Sequence, residues 1–183
     1  MRRTLDILLS ASGLIVTAPL LAALYLAGLY DTGTPLFRQT RVGRHKRPFV
    51  LYKFRTMRLE TPQVATHVVD AAAVTPLGRL LRRTKLDELP QLWNVLRGEM
   101  SLVGPRPCLF SQIDLIRERD KHCIYDYRPG ITGLGQLKGV DMSEPVRLAA
   151  LDSKMMQRLS LLSYLRYVIL TVDGRGAGDR VRS

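Results

Sequence analysis

Two adjacent carboxylates, Asp87 and Glu88, lie in the run Leu86-Asp87-Glu88-Leu89-Pro90-Gln91, with Arg82, Arg83 and Lys85 just before them. Proline lacks the N–H that a later helical turn needs, so Pro90 belongs to a first turn. That spacing predicts Asp87 as N-cap and Glu88 as first residue of a short helix, which carries Leu92, Trp93, Val95 and Leu96 and stops at Gly98. The positive end of a helix dipole favours ionised carboxylates and attracts phosphate. An ionised Asp with cations beside it is a nucleophile towards a phosphoryl group. The plainer reading of the same residues is a helix cap, which needs no further chemistry.

Groups able to grip phosphate recur along the chain. Arg106 is clamped between Pro105 and Pro107, which fixes its backbone cheaply and suits an arginine held for an anion. Lys53 and Arg55 follow an aromatic, β-branched stretch, and Arg128 opens the glycine-rich turn Arg128-Pro129-Gly130-Ile131-Thr132-Gly133. Against each stands the bland alternative of a solvated arginine on a structural turn. The whole chain has 183 residues and a formal charge of +12, which suits one domain with an anionic partner: nucleic acid, a lipid surface or a phosphorylated substrate. Cys108 and Cys123 have neither metal nor disulfide spacing and read as buried thiols. His45 and His67 are single histidines without a partner pattern and receive no role.

The elements that must position these residues begin with an apolar segment over residues 5–30, long enough to span a bilayer. It has little polar face beyond Ser10, Ser12 and Thr17, and no clear cleavage site of a signal peptide ends it. Pro19 falls near its middle and predicts a break. Arg2 and Arg3 precede the segment, and Arg38, Arg41, Arg44, Lys46 and Arg47 follow it, so the positive-inside rule keeps both flanks in the cytoplasm. A helix that enters, breaks and returns on one face satisfies both observations.

Residues 35–56 read as a hairpin around the basic turn Gly43-Arg44-His45-Lys46-Arg47, a solvated loop or a contact with anionic headgroups. Residues 60–74 read as a surface loop or lid. Thr75 and Pro76 open a basic amphipathic helix with an apolar stripe of Leu77, Leu80 and Leu81. Residues 98–107 read as an ordered loop. Residues 108–123 read as a helix with Leu109, Ile113 and Ile116 inward and Arg117, Glu118, Arg119 and Asp120 outward. Helices over 143–157 and 159–172 close the chain, followed by a flexible tail. The expected fold is α+β and predominantly helical: a re-entrant membrane helix over 1–30, a catalytic domain over 31–173 at the interface, and a tail over 174–183.

Several segments in this order resemble one family: Phe37-x-Gln39-x-Arg41-x-Gly43, Lys53-Phe54-Arg55-Thr56-Met57, Thr84 to Leu92, Asn94-Val95-Leu96, Met100 to Pro107 and Arg128 to Gly133. The chain resembles a monotopic phosphoglycosyl transferase of the bacterial sugar transferase family, in its minimal single-domain form, over nearly its whole length. The resemblance implies transfer of a sugar-1-phosphate from a UDP-sugar to a membrane polyprenol phosphate, with release of UMP. It makes Asp87 the nucleophile of a covalent phosphosugar intermediate and Glu88 the Mg²⁺-binding acid. It implies a ping-pong cycle at the cytoplasmic face of a bacterial inner membrane. Lys53, Arg55, Arg83, Pro105, Arg106, Pro107, Arg128 and Thr132 form the expected substrate-binding set. The partners are then the UDP-sugar, the polyprenol phosphate and the bilayer, with no nucleic acid; oligomeric state stays open, a homodimer included.

The chain departs from the family pattern in places. Ala18 precedes Pro19 where a serine is usual, Met155 stands at an expected aromatic three residues after Asp152, and Tyr164 stands near an expected Asp. The first bears on the break in the membrane helix, and the other two on the C-terminal helices and on sugar preference rather than on Asp87 and Glu88. Two rival functions remain: a basic membrane-tethered nucleic-acid binder, and an inactive scaffold in a glycan-assembly complex. The arginines are spread among Pro/Gly loops around an acid pair, which is not the pattern of a nucleic-acid face.

Overall fold

A computed structural model describes residues 2–61 and 71–174. Helix α1 (Arg2–Thr32) is followed by an antiparallel hairpin, β1 (Leu36–Val42) and β2 (Pro48–Phe54), paired from Leu36 with Phe54 to Val42 with Pro48. The basic turn between the strands is the exposed 3-10 turn Arg44–Lys46. Helix α2 (Pro76–Thr84) starts as its residues dictate: the Thr75 side chain accepts from the Gly78 N–H and Pro76 takes the first position. Gly78 is required there, because a Cβ would lie 2.1 Å from the Thr56 carbonyl oxygen. Leu81 points into the core, whereas Leu80 is largely exposed. Residues 62–70, including His67, lie outside the described residues; Val74 pairs with Met57 at the far end of that stretch.

The acid pair is housed differently from the sequence expectation. Asp87 is not an N-cap. It lies inside a 3-10 turn, Leu86–Glu88, and helix α3 (Gln91–Arg97) starts only after Pro90. The cause is Lys85, whose φ of 58° ends α2 in the left-handed region and turns the chain at once into the short turn. Gly98, with φ of 83°, stops α3 as expected.

The glycine- and proline-rich stretch after α3 is not all loop. Ser101–Val103 forms β3, parallel to β4 (Gly130–Thr132) with Ser101 opposite Gly130 and Val103 opposite Thr132. The close approach of Gly104 to Gly130 permits this pairing; a Cβ on Gly130 would meet the Gly104 nitrogen at 2.0 Å. Helix α4 (Ile113–Asp120) is shorter than predicted, and two of its residues are reversed in burial. Ile113 is exposed and Arg119 is fully buried. Cys108 is buried as expected but Cys123 is exposed. A short α5 (Leu134–Leu137), then α6 (Pro145–Arg158) and α7 (Leu161–Val172), complete the described chain close to the predicted bounds.

One core cluster joins β2, α3, β3, α6 and α7 through Leu51, Val95, Met100, Val103, Met155 and Tyr164. A second, around Cys108, Leu115, Tyr125 and Leu148, joins α4 to α6. Helix α1 runs without interruption through Pro19 and buries only Asp6, Ser10 and Gly28. Both its ends are tied to the rest of the protein. Arg3 donates to the Val95 and Leu96 carbonyls at 2.5 and 2.8 Å, closing the C-terminus of α3. Asp6 Oδ1 accepts from Tyr164 Oη at 2.6 Å, from Ser101 Oγ at 2.9 Å and from the Leu102 N–H at 2.9 Å. At the other end, Thr75 Oγ1 donates to Asp31 Oδ2 at 2.7 Å. The Tyr164 departure thus has a structural use, as a donor to a buried acid of α1. Met155 has one too: its sulfur accepts the Leu134 N–H at 3.1 Å.

Candidate active site

Strand β2 and helix α2 both pack against the Leu86–Glu88 turn, so the hairpin and the basic helix meet at the acid pair. Asp87 is buried, 4 % exposed. Glu88 Oε1 accepts from Arg106 Nη2 at 2.7 Å, with both side chains largely buried. Arg106 is itself held from behind: Pro105 and Pro107 are buried, and Arg119 Nη1 donates to the Arg106 carbonyl at 2.8 Å. Arg119 in turn donates through Nε and Nη2 to Asp152 Oδ2 at 3.0 and 2.7 Å. Burial pushes the Asp152 carboxyl up, and the adjacent guanidinium opposes it. Both groups are almost fully enclosed, and the doubled hydrogen bond marks an ion pair.

The cations around the acids have distinct supports. Burial pushes the Lys85 ammonium below the ordinary lysine value; Glu88 opposes that shift and Arg106 adds to it. Both of those groups therefore lie within electrostatic reach of Lys85. Arg82 Nε donates to Thr56 Oγ1 at 2.8 Å, while its Nη1 is buried with no hydrogen-bond partner among the described residues. A buried orphan donor of this kind is costly unless an acceptor arrives. Lys53 and Arg55 lie over the Phe37 ring at 5.6 and 5.5 Å, and Arg55 Nε donates to the Thr34 carbonyl at 3.0 Å. Burial lowers the Arg55 guanidinium.

Beside this charged corner is an apolar cavity of about 430 Å³. Leu9, Gly13 and Thr17 of α1 form one wall, and Val168, Thr171 and Val172 of α7 another. Leu92, Leu102 and Ile131 lie between them, and Lys85, Glu88 and Thr132 form its polar edge. Thr132 is oriented by Thr171, whose hydroxyl lies 2.6 Å from its own.

Not every predicted site residue gathers here. Glu88, Arg106 and Thr132 do, with Lys53 and Arg55 on the adjoining hairpin. Arg83 is exposed on α2 and makes no hydrogen bond or ion pair with a described residue. Arg128 lies elsewhere: its Nε donates to the Gly98 carbonyl at 2.8 Å, and it lines a different cavity with Ser101 and Val103. Strand alternation separates the two, since Leu102 faces the apolar cavity while its neighbours face the other. Pro107 acts on Arg41, whose Nη1 donates to the Pro107 carbonyl at 3.1 Å.

Sequence reasoning placed Arg82 and Lys85 beside the acids but left both out of the substrate-binding set, and it missed the Arg119–Asp152 pair. The signal for Lys85 and Arg82 was their position, within a helical turn of the acids. No pattern in the short α4 singled out Arg119. As a metal site the corner offers few ligands, since no group of three or more metal-binding side chains occurs among the described residues. Glu88 Oε2 makes no hydrogen bond or ion pair with a described residue, which fits an ion shared with substrate phosphates rather than caged by protein.

The bacterial sugar transferase model matches residues 1–175. The chain belongs to the bacterial sugar transferase family. It is 42 % identical over 181 residues to the UDP-glucose:undecaprenyl-phosphate glucose-1-phosphate transferase of Caulobacter vibrioides, covering 93 % of this chain and 68 % of that protein. It is 37 % identical over 161 residues to the undecaprenyl-phosphate galactose phosphotransferase of Salmonella typhimurium, covering 76 % of this chain and 33 % of that protein. It is 34 % identical over 190 residues to the exopolysaccharide production protein ExoY of Sinorhizobium fredii, covering 93 % and 83 %. The share of relatives spanned varies widely; an uncharacterized sugar transferase of Haemophilus influenzae is matched over 40 % of its length. In this family member the departures at Met155 and Tyr164 are filled by the Leu134 and Asp6 contacts.

Proposed function

We propose that this sugar transferase moves a hexose-1-phosphate from a UDP-sugar to polyprenol phosphate, releasing UMP, at the cytoplasmic face of a bacterial inner membrane. The observation that carries the reading is the junction of an anion-binding corner, Lys85, Glu88 and Arg106, with an apolar cavity between α1 and α7. A water-soluble phosphate ester and a lipid phosphate would meet at such a boundary. The names of the Caulobacter and Salmonella relatives support the donor and acceptor classes.

In the proposed first step an Asp87 carboxylate oxygen attacks the phosphorus that bears the sugar. The bond from that phosphorus to the bridging oxygen breaks, and UMP leaves with the oxygen and its electron pair. In the second step a phosphate oxygen of the polyprenol phosphate attacks the same phosphorus and the Asp87 carboxylate departs. The product is a polyprenyl diphosphate sugar. An ionised Asp87 needs no general base. Its burial would shield the acyl phosphate from water. Lys85 and Arg106, with Lys53, Arg55 and the orphan Arg82 Nη1 nearby, would offset charge on the phosphates. Glu88 would hold Mg²⁺ through Oε2, and the ion would supply charge neutralisation to the diphosphate.

Intact-protein mass spectrometry with Mg²⁺ and a panel of UDP-hexoses, without lipid acceptor, tests this directly. A phosphosugar adduct and UMP are expected from the wild type and neither from Asp87→Asn. UMP released only when polyprenol phosphate is present, with no adduct, would replace the covalent route with direct transfer. If Asp87→Asn and Glu88→Gln supported glycan synthesis as well as the wild type, the scaffold reading would win.

A further inference from the structure

The second cavity, about 190 Å³, is lined by Arg2 and Arg3 of α1, Arg44 of the hairpin turn and Arg128, with Asp6 and Asp126. Four guanidiniums around one small space repel one another, and that repulsion is relieved when an anion enters. The two acids offset it only in part. Asp6 Oδ1 is already engaged by three donors. The Asp126 carboxylate is exposed and lies 3.8 Å from His45 Nδ1.

The arginines are arranged to leave donors over. Arg44 and Arg128 each spend Nε on a backbone carbonyl, of Asp126 and Gly98 respectively, both at 2.8 Å. Those bonds fix the planes of the guanidiniums, and the terminal nitrogens of both have no partner among the described residues. Arg2 has no hydrogen bond or ion pair with a described residue. Arg3 gives its terminal nitrogens to Val95 and Leu96 and contributes charge alone. The start of α1 adds the positive end of a long helix dipole.

Place and size narrow the ligand. The cavity is on the opposite face of β3 from Glu88, so it is not part of the charged corner there. It is smaller than the roughly 300–1,000 Å³ of sites that enclose drug-sized molecules, yet adequate for one phosphate group. It adjoins the start of α1, where Ile7, Leu8 and Leu9 turn apolar side chains outward. A phosphate held at that level, with its esterified chains continuing along α1, is a lipid headgroup. We propose that this pocket binds the phosphodiester headgroup of an anionic phospholipid, a site distinct from those of donor and acceptor.

Native mass spectrometry of the full chain released from detergent tests the pocket, with phosphatidylglycerol or phosphatidylcholine added. One phosphatidylglycerol is expected to stay bound where phosphatidylcholine does not, and the Arg2→Gln/Arg44→Gln variant is expected to weaken retention about tenfold or more, as loss of charge-assisted contacts implies. Arg44→Gln alone, at an exposed position, should weaken it less without affecting folding. Equal retention of both lipids, or unchanged retention in the double variant, would overturn the site. Displacement of the lipid by millimolar inorganic phosphate would replace it with a free-anion site. The phosphosugar adduct at Asp87 should form in detergent in both variants; its loss would assign these arginines to the donor instead. Failure of the adduct in the wild type would bear on the proposed activity and leave the lipid measurement intact.

Discussion

Lys85 is the residue where backbone and charge are both unusual. Its φ of 58° is uncommon for a side chain with a Cβ and costs of order 1–3 kcal/mol, a kind of strain that concentrates at functional sites. Burial holds its ammonium below the ordinary value of 10.5. The sign of the effect follows. The fold disfavours the charged form, so ionised Lys85 costs stability at neutral pH, and this cost is relieved as pH rises through the lowered value towards the unfolded one. Activity runs the other way, because an anionic donor needs the ammonium. We expect kcat/KM for the UDP-sugar to fall along an alkaline limb that starts below the range of an exposed lysine, since this quantity reports the free enzyme. Lys85→Arg should move the limb upward, because a guanidinium stays charged. Coincident limbs in the two pH profiles would remove Lys85 from donor binding.

Between elements, the positioning of Arg106 depends on a helix pair that never reaches the site. Helix α4 supplies Arg119 and α6 supplies Asp152, and the pair holds the Arg106 carbonyl from behind. Arg119→Met leaves a buried carboxylate alone and should cost about 3–5 kcal/mol, measured by urea unfolding. Arg119→Met/Asp152→Leu should recover most of that loss, because two charges are removed together. Recovered stability with kcat/KM still depressed would mark the pair as positioning Arg106; full recovery of both would mark it as packing alone. The sequence could not disclose this arrangement. The hairpin, the Thr75-Pro76 start of α2, the Gly98 stop and the two closing helices were legible, because alternation, capping residues and periodicity are local signals. The Arg119 face was not, since a helix as short as α4 has too few turns for a stripe and polarity alone pointed Arg119 outward. The geometry around Asp87 and Glu88 was misread: Pro90 does precede a helix, yet the left-handed Lys85 sets a 3-10 turn in between. Strand β3 was hidden for a related reason, because its pairing depends on a remote glycine, Gly130.

At the scale of the molecule, the question is how α1 meets the bilayer. Its 31 residues extend about 46 Å at 1.5 Å per residue, well beyond the roughly 30 Å of a hydrocarbon core. Most of its apolar side chains face outward, as do Leu161, Leu162, Ile169 and Val172 of α7, so both helices that wall the apolar cavity also expose apolar surface. Yet the first turns of α1 bond to α3, β3 and α7, and its last turn bonds to Thr75 at the start of α2. Were α1 to cross from one face to the other, one of these anchors would have to leave the domain that holds both. Loss of the Asp6 anchor would leave three donors, Tyr164 Oη among them, without their acceptor. We therefore expect α1 to enter and return on one face, bending at Pro19, where one helical hydrogen bond is already missing. The check uses two exposed threonines at its ends, Thr4→Cys and Thr34→Cys, each in a Cys123→Ser background that removes the exposed native thiol. An impermeant maleimide should label both sites in inside-out vesicles and neither in right-side-out ones. Labelling of Thr4→Cys and Thr34→Cys from opposite sides would establish a spanning helix, and the anchors at one end of α1 would then have to be broken in the membrane.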